Sequence, residues 1–413
     1  MDKKTLSIIL PGLLIAATGV GAGDLATAGF AGSHLGVAVL WAVVLGGLFK
    51  FALTEGIARW QLVNGDSLID GLATRFGKPF IYIFLTYLVL WSFFVGSALI
   101  SASGVSLHAL LPILEPANGK IVFGIVCSLL GLLLVRGGNF ALFEKVMGFS
   151  IAIMVVIVLS TAVVLWPGNS EVLSGLFIPS IPDVNGKGLT WTVALIGGVG
   201  GTLTIFSYGY WIREKHRTSR DDIRTCRIDL MVGYAVTILF GLAMVIIGNT
   251  VTVEGKGSGL IINLASSLEA ALGPAGKWLF LVGAFFAIFS SLLGVWQAVP
   301  YMFADLMKHL TPSSSDKSDD SKTSAKLTET SSYKLFQLAL ALVPIMSLWV
   351  SFKEVQKLYS IVGTFFMPFL ALALLYFNNR KGMGSDKNSL LFNGMLLVTL
   401  VFFSYVAWQK FFG

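Results

Sequence analysis

Long apolar runs recur along the chain at the length of a membrane crossing. A helix needs about 20 apolar residues to traverse the hydrocarbon core. Eleven such runs can be drawn, over 7–31, 35–62, 79–110, 119–136, 143–166, 189–212, 228–250, 276–307, 332–351, 354–377 and 390–412. None alternates apolar and polar residues with the period of an outer-membrane strand, so the pattern predicts an all-α polytopic membrane protein. The first run leads straight into the second without a small-residue cleavage pattern, and no removable signal peptide is read. Between spans five and six, the stretch from Trp166 to Leu189 holds Pro167, Pro179 and Pro182 and shows no helical pattern. Residues 311–332, TPSSSDKSDDSKTSAKLTETSS, are too polar to pack and read as a mobile linker.

Two spans are interrupted. In the first, Thr18–Thr27 carries Gly19, Gly21 and Gly23 with one carboxylate, Asp24. Glycine in a helix interior costs about 1 kcal/mol relative to alanine, and a carboxylate at mid-membrane depth costs at least about 2.5 kcal/mol. Backbone broken at that depth persists only where protein or a water-filled cavity satisfies its amides. The stretch therefore predicts an unwound helix forming half of a substrate site; the plainer reading is a packing kink whose acid pairs with a neighbouring helix. Span six repeats the feature in Ile196–Gly197–Gly198–Val199–Gly200–Gly201–Thr202–Leu203–Thr204. Paired glycine-broken segments at corresponding places in two halves point to a transporter site. Spans one to five (about 7–166) and six to ten (about 189–377) then form a 5+5 inverted repeat, with an eleventh helix (about 390–412) appended to a single transporter domain over 1–413. The odd offset makes the second half enter the membrane from the opposite side.

Charge sets the orientation. With the N-terminus inside, 21 Lys/Arg fall in cytoplasmic segments and seven outside, which predicts an N-in, C-out inner-membrane protein. The net charge of +7 follows from those basic loops, so no nucleic-acid partner is read; the lipid bilayer is the expected environment. Cys127 and Cys226 form neither a disulfide framework nor a metal spacing. No nucleophile–base pair or closed metal site argues for an enzyme, and no cofactor is implied. The basic run from Arg213 to Arg227 could hold phosphate, but at a span end it more often marks orientation or meets anionic lipid. Phe206, Tyr208, Tyr210 and Trp211 could line an organic-solute pocket or simply pack.

The residues also resemble a known family. Leu40–Trp41–Ala42–Val43–Val44–Leu45 through Arg59 to Gly65 and Leu68 resembles the second helix of the NRAMP divalent metal transporters. Gly21–Ala22–Gly23–Asp24–Leu25–Ala26–Thr27 falls on that family's Asp-Pro-Gly-Asn-x-Ala-Thr motif. Ser290–Ser291, Gly294 and Gln297 in span eight and Met367–Pro368–Phe369 in span ten match as well. The resemblance implies a LeuT-type fold with helices 1 and 6 unwound at mid-membrane; it does not require an oligomer. The departures fall at the site. The family's Asp lands on Gly21 and its Asn on Asp24, its Met-Pro-His on Thr204–Ile205–Phe206, and a further His on Trp211. Its third-helix acids land on Phe94 and Ser97, and its tenth-helix Gln near Phe366.

Exchanging a thioether for the Thr204 hydroxyl removes a soft ligand and favours Mg²⁺, Ca²⁺ or Mn²⁺; some relatives are magnesium carriers. Equally, Thr204 could cap the second half of the broken helix. The expected ligands are Asp24, Thr204 and backbone carbonyls around Gly21 and near Gly201, with retained waters and Gln297 as support from behind. Glu55 and Arg59 stand at i, i+4, a helical ion-pair spacing, and with Lys50 are read as a gate or ion-pair network; Glu55 as a direct ligand is the other reading. His34, His108, His216 and His309 lie near span ends or in loops, so transport without proton coupling is expected. The function read is alternating-access transport of a divalent cation. Two alternatives stand beside it: a carrier of a small amino acid or amine, and a channel or receptor.

Overall fold

The computed structural model describes residues 3–184, 186–250, 260–310 and 324–412. Among these it forms helices and turns and no strand. Helix α1 (Lys3–Gly19) runs through a π-helical turn (Val20–Ala28) into α2 (Gly29–Leu35). Then follow α3 (Leu40–Asn64), α4 (Leu68–Leu110), α5 (Pro116–Gly137), α6 (Phe140–Val164), α7 (Asn169–Phe177), α8 (Gly188–Gly198) and α9 (Ser207–Glu214). The remainder is α10 (Ile223–Gly248), α11 (Leu260–Leu310), α12 (Ser324–Glu329), α13 (Ser331–Leu342), α14 (Phe352–Phe377) and α15 (Leu390–Phe412). Among the described residues nine helical stretches are long and apolar enough to cross a membrane; shorter apolar stretches, Ile8–Gly19 and Phe365–Phe377, account for the other two expected spans. The chain is a multi-pass membrane protein.

Two expectations about connectors are corrected. The segment after Trp166 contains α7, a nine-residue helix bracketed by Pro167 and Pro179. It was invisible as a pattern because only Val172 and Gly175 of it are buried. Gly175 meets the Val37 carbonyl so closely that a Cβ there would overlap it. Most of the expected linker, 311–323, lies outside the described residues, but its last part is ordered as α12, where Leu327 is buried.

Local signals explain the helix starts. Ser67, Asn139, Thr330 and Ser351 each accept a backbone N–H of the first turn, offsetting donors that the helix leaves unpaired. Spans three and eight share a further device. α4 bends at Gly77, just before Pro79, and α11 at Gly273, just before Pro274, so each has a lead-in segment ahead of the crossing. The two bends stand five spans apart, at the same step of each half.

α11 packs along α4, α6 and α1, and α10 along α1, α3 and α2. The broken helices are therefore enclosed. In the Gly188–Glu214 span 78% of the apolar window is buried, against 22% for Leu390–Trp408, which places span six at the centre and the eleventh helix at the rim. Outward-facing Leu133, Val156, Val163 and Val401 are exposed, as a lipid-facing surface requires.

Candidate substrate site at the two helix breaks

The two breaks differ in kind. In an α-helix the Gly21 N–H would bond the Ala17 carbonyl four residues earlier. Here the Ser291 hydroxyl stands between them: it accepts from Gly21 N–H at 2.7 Å and donates to Ala17 O at 3.0 Å. Ser290 donates to the same carbonyl at 3.1 Å. The helix absorbs the insertion by widening into the π turn, and the absence of a side chain at Gly21 leaves room for Ser291.

Span six opens fully. α8 ends at Gly198, Val199 is extended, and Gly200 and Gly201 take φ of +75° and +78°. That left-handed backbone is one glycine adopts without Cβ strain. The chain re-enters a helix through the turn Leu203–Phe206 and α9. The breaks touch: a Cβ on Gly19 would lie 2.9 Å from the Gly200 carbonyl carbon. At this junction Asp24 is fully buried and accepts the Gly200 N–H at 3.1 and 3.3 Å on its two oxygens. The Thr202 hydroxyl accepts from Trp91 Nε1 at 2.9 Å, and Thr204, also buried, sits beside Gly201.

Lys50 completes the junction. Its side chain, 0% exposed, sends the ammonium group into the span-six break, where Nζ donates to Gly197 O at 2.8 Å, Val199 O at 3.3 Å and Gly201 O. Its three N–H donors are thus matched by three carbonyls, and Asp24 stands at the same break on the Gly200 N–H.

The structure thereby separates residues that the sequence had grouped. Glu55 and Arg59 pair at 2.7 Å, but the other oxygen of Glu55 receives Arg227 at 2.7 Å, and both guanidinium groups lie over Phe392. Lys50 is not part of this pair. Asp24 meets Gly200, and Thr204 sits beside the adjoining Gly201, whereas Gly21 is held by Ser291. The hydrogen bonds of Gln297 lead elsewhere: Oε1 accepts from Trp211 Nε1 at 2.7 Å, and Nε2 donates to the Tyr301 hydroxyl at 3.2 Å, which donates to Glu214 at 3.0 Å. Sequence reasoning missed the destination of Lys50, although a signal existed: no acid stands one helical turn from it on either side, so a partner had to come from another helix. Among the described residues no three His, Cys, Asp or Glu side chains gather to hold a metal. An ion here would rely on one carboxylate, hydroxyls and backbone carbonyls.

Comparisons with known proteins agree with this architecture. The family described as "Natural resistance-associated macrophage protein-like" (Nramp) matches residues 12–412. The chain belongs to the Nramp family. The divalent metal cation transporter MntH of Mycobacterium leprae is 22% identical over 397 residues, 94% of this chain and 87% of that protein. The natural resistance-associated macrophage protein 1 of Bison bison is 28% identical over 255 residues, 60% of this chain and 45% of that protein. The Eremococcus coleocola manganese transporter superposes with a TM-score of 0.78 at 17% identity, covering 98% of this chain and 86% of that one. MhsT in complex with L-phenylalanine superposes with a TM-score of 0.68 at 16% identity, covering 98% and 97%. The fold is therefore of the LeuT type, shared by these Nramp and MhsT structures.

Within this Nramp chain, the positions that depart from the family pattern have other work. Phe206, Phe84 and Phe366 form an aromatic cluster with centroids 5.5 to 6.2 Å apart. Ser97 bonds its own helix at Phe93 O, and Trp211 holds Gln297.

Proposed function

We propose that this protein is a secondary carrier of divalent cations that works by alternating access, with the two repeats of its single transporter domain rocking around the junction of the breaks. The observation that carries the reading is the burial of Asp24 where the two broken helices meet. A carboxylate at that depth is costly unless it serves a cation, and relatives across the family carry the name of divalent metal transporters. Asp24 and Thr204 are the proposed side-chain ligands, with backbone oxygens near Gly21 and retained waters; the Gly201 carbonyl, expected as a ligand, accepts from Lys50 Nζ instead. A hydroxyl where relatives carry a thioether favours hard ions such as Mg²⁺ or Mn²⁺.

Uncoupled transport is part of the proposal. His309 bonds Asp70 at 2.7 Å and His108 stacks on Phe123, so both rings are engaged away from Asp24. The protein sits in the inner membrane with its N-terminus inside and its C-terminus outside. Uptake of Mn²⁺ and Mg²⁺ into proteoliposomes, with internal pH recorded, tests the reading. Saturable uptake without acidification, abolished by Asp24→Ala, is expected. Absence of uptake of either ion by folded parent protein overturns the metal assignment and directs the search to small organic solutes.

A further inference from the structure

Three backbone oxygens of the span-six break converge on one point. The Gly197 carbonyl, left open at the end of α8, and those of Val199 and Gly201, on either side of the left-handed Gly200, face the same side, and the C-terminal end of α8 adds its negative dipole there. Convergent carbonyls are the donor type that strips water from cations. In this protein their occupant is covalently attached: the ammonium of Lys50, reached across from α3. Nothing on α3 competes for it. Glu55 is held by Arg59 and Arg227, and the Thr54 hydroxyl pairs with Tyr234 at 2.6 Å. The cost of burying this charge is offset by the three carbonyls and by Asp24.

We propose that the Gly197, Val199 and Gly201 carbonyls form a cation site, distinct from the Asp24 and Thr204 side-chain ligands, whose resident is the tethered alkylammonium of Lys50. The side chain thereby removes these carbonyls from competition for free ions and keeps the junction electrically balanced when no substrate is bound. A vacated site should accept a free alkylammonium or a small desolvated metal ion. The inference concerns binding and does not depend on whether the protein moves metal across a membrane.

The test is thermal unfolding of the full chain in detergent, at matched ionic strength, with tetramethylammonium chloride as baseline because that cation is bulky and has no N–H donor. Lys50→Ala opens space for an alkylammonium, and butylammonium is the probe. Lys50→Met keeps the bulk without the charge, and sodium, magnesium and manganese are the probes. The parent should show the same midpoint in sodium, butylammonium and tetramethylammonium, and any gain it shows in magnesium or manganese measures binding at Asp24 and Thr204. Each variant should melt lower, by on the order of 5 °C. Butylammonium should restore Lys50→Ala, or a metal ion should restore Lys50→Met, in a saturable way and beyond the parent's gain in the same salt; butylammonium or sodium rescue establishes the site, because neither ion is a substrate of the Asp24 and Thr204 ligands. Equal midpoints in all salts for both variants overturn the proposal. So does failure of both to fold whether prepared with or without the probe cations, since a cation site is rescued by a cation.

Discussion

At the scale of single residues, the site is built by hydroxyl groups that replace backbone partners. Ser291 holds both ends of the interrupted rung between Ala17 and Gly21, whereas Ser290 holds only the carbonyl. Ser291→Ala should therefore destabilise the protein by about 1–3 kcal/mol, the cost of stranding a buried donor, and Ser290→Ala by less. Thermal unfolding in detergent ranks the two. The Trp91 and Thr202 pair gives a second comparison. Thr202→Val strands the indole N–H and should also cost about 1–3 kcal/mol. In a Trp91→Phe background the same change should cost less, because only the bond of the Thr202 hydroxyl to Tyr359 is then lost. Equal losses in both backgrounds would mean that the hydrogen bond is not what Thr202 contributes. None of these partnerships was legible in the sequence. Ser291 stands 270 residues from Gly21, and a serine in an apolar run ordinarily bonds its own helix, as Ser97 does.

At the scale of elements, α1 is strapped at a second rung. Gly12 N–H, next to Pro11, donates to Asp229 Oδ1 at 2.7 Å, and Arg217 donates to the Ile8 carbonyl at 2.6 Å. Arg217 and Asp229 pair with each other at 3.0 Å, and Tyr208 donates to Asp229 at 2.8 Å. An ion pair thus stands where the bond from Gly12 to Ile8 would run, tying α1 to α10 and to the turn after α9. Removing one member leaves a buried charge, so Asp229→Asn should lower stability by about 3–5 kcal/mol. It should also speed labelling of a cysteine placed at Ile8, because this end of α1 loses its tie. A labelling rate unchanged by Asp229→Asn would show that α1 is held by packing alone. The basic run from Arg213 to Arg227 acquires its meaning here. Arg217 straps α1, Arg227 pairs Glu55, and Lys215 pairs Glu144, so part of what reads as a surface charge cluster is internal bracing. The run could be seen in sequence; its division among α1, α3 and α6 could not, because the partners lie on helices remote in the chain.

At the scale of the whole molecule, the excess of Lys/Arg in alternate connectors predicts which end faces inward. A cysteine at Lys187 should react with an impermeant maleimide in intact cells, and one at Lys381 only after permeabilisation. The reverse pattern would invert the orientation and with it the assignment of the basic end. The span count, the helical class and the pair of interrupted spans follow from sequence alone. In a bilayer an unbroken helix satisfies its backbone amides within itself, so the length of an apolar run and the position of its glycines carry the answer locally. The same locality explains the failures. Helix α7 buries too few residues to announce itself, and the reach of Lys50 depends on how α3 packs against α8. Asp24 could be named as the buried acid from its position in the first span. That its carboxylate meets the Gly200 amide, and that an ammonium rather than a vacancy faces the span-six carbonyls, was decided only when the two breaks were brought together in space. Those contacts join atoms more than a hundred residues apart, a distance over which periodicity and propensity carry no information.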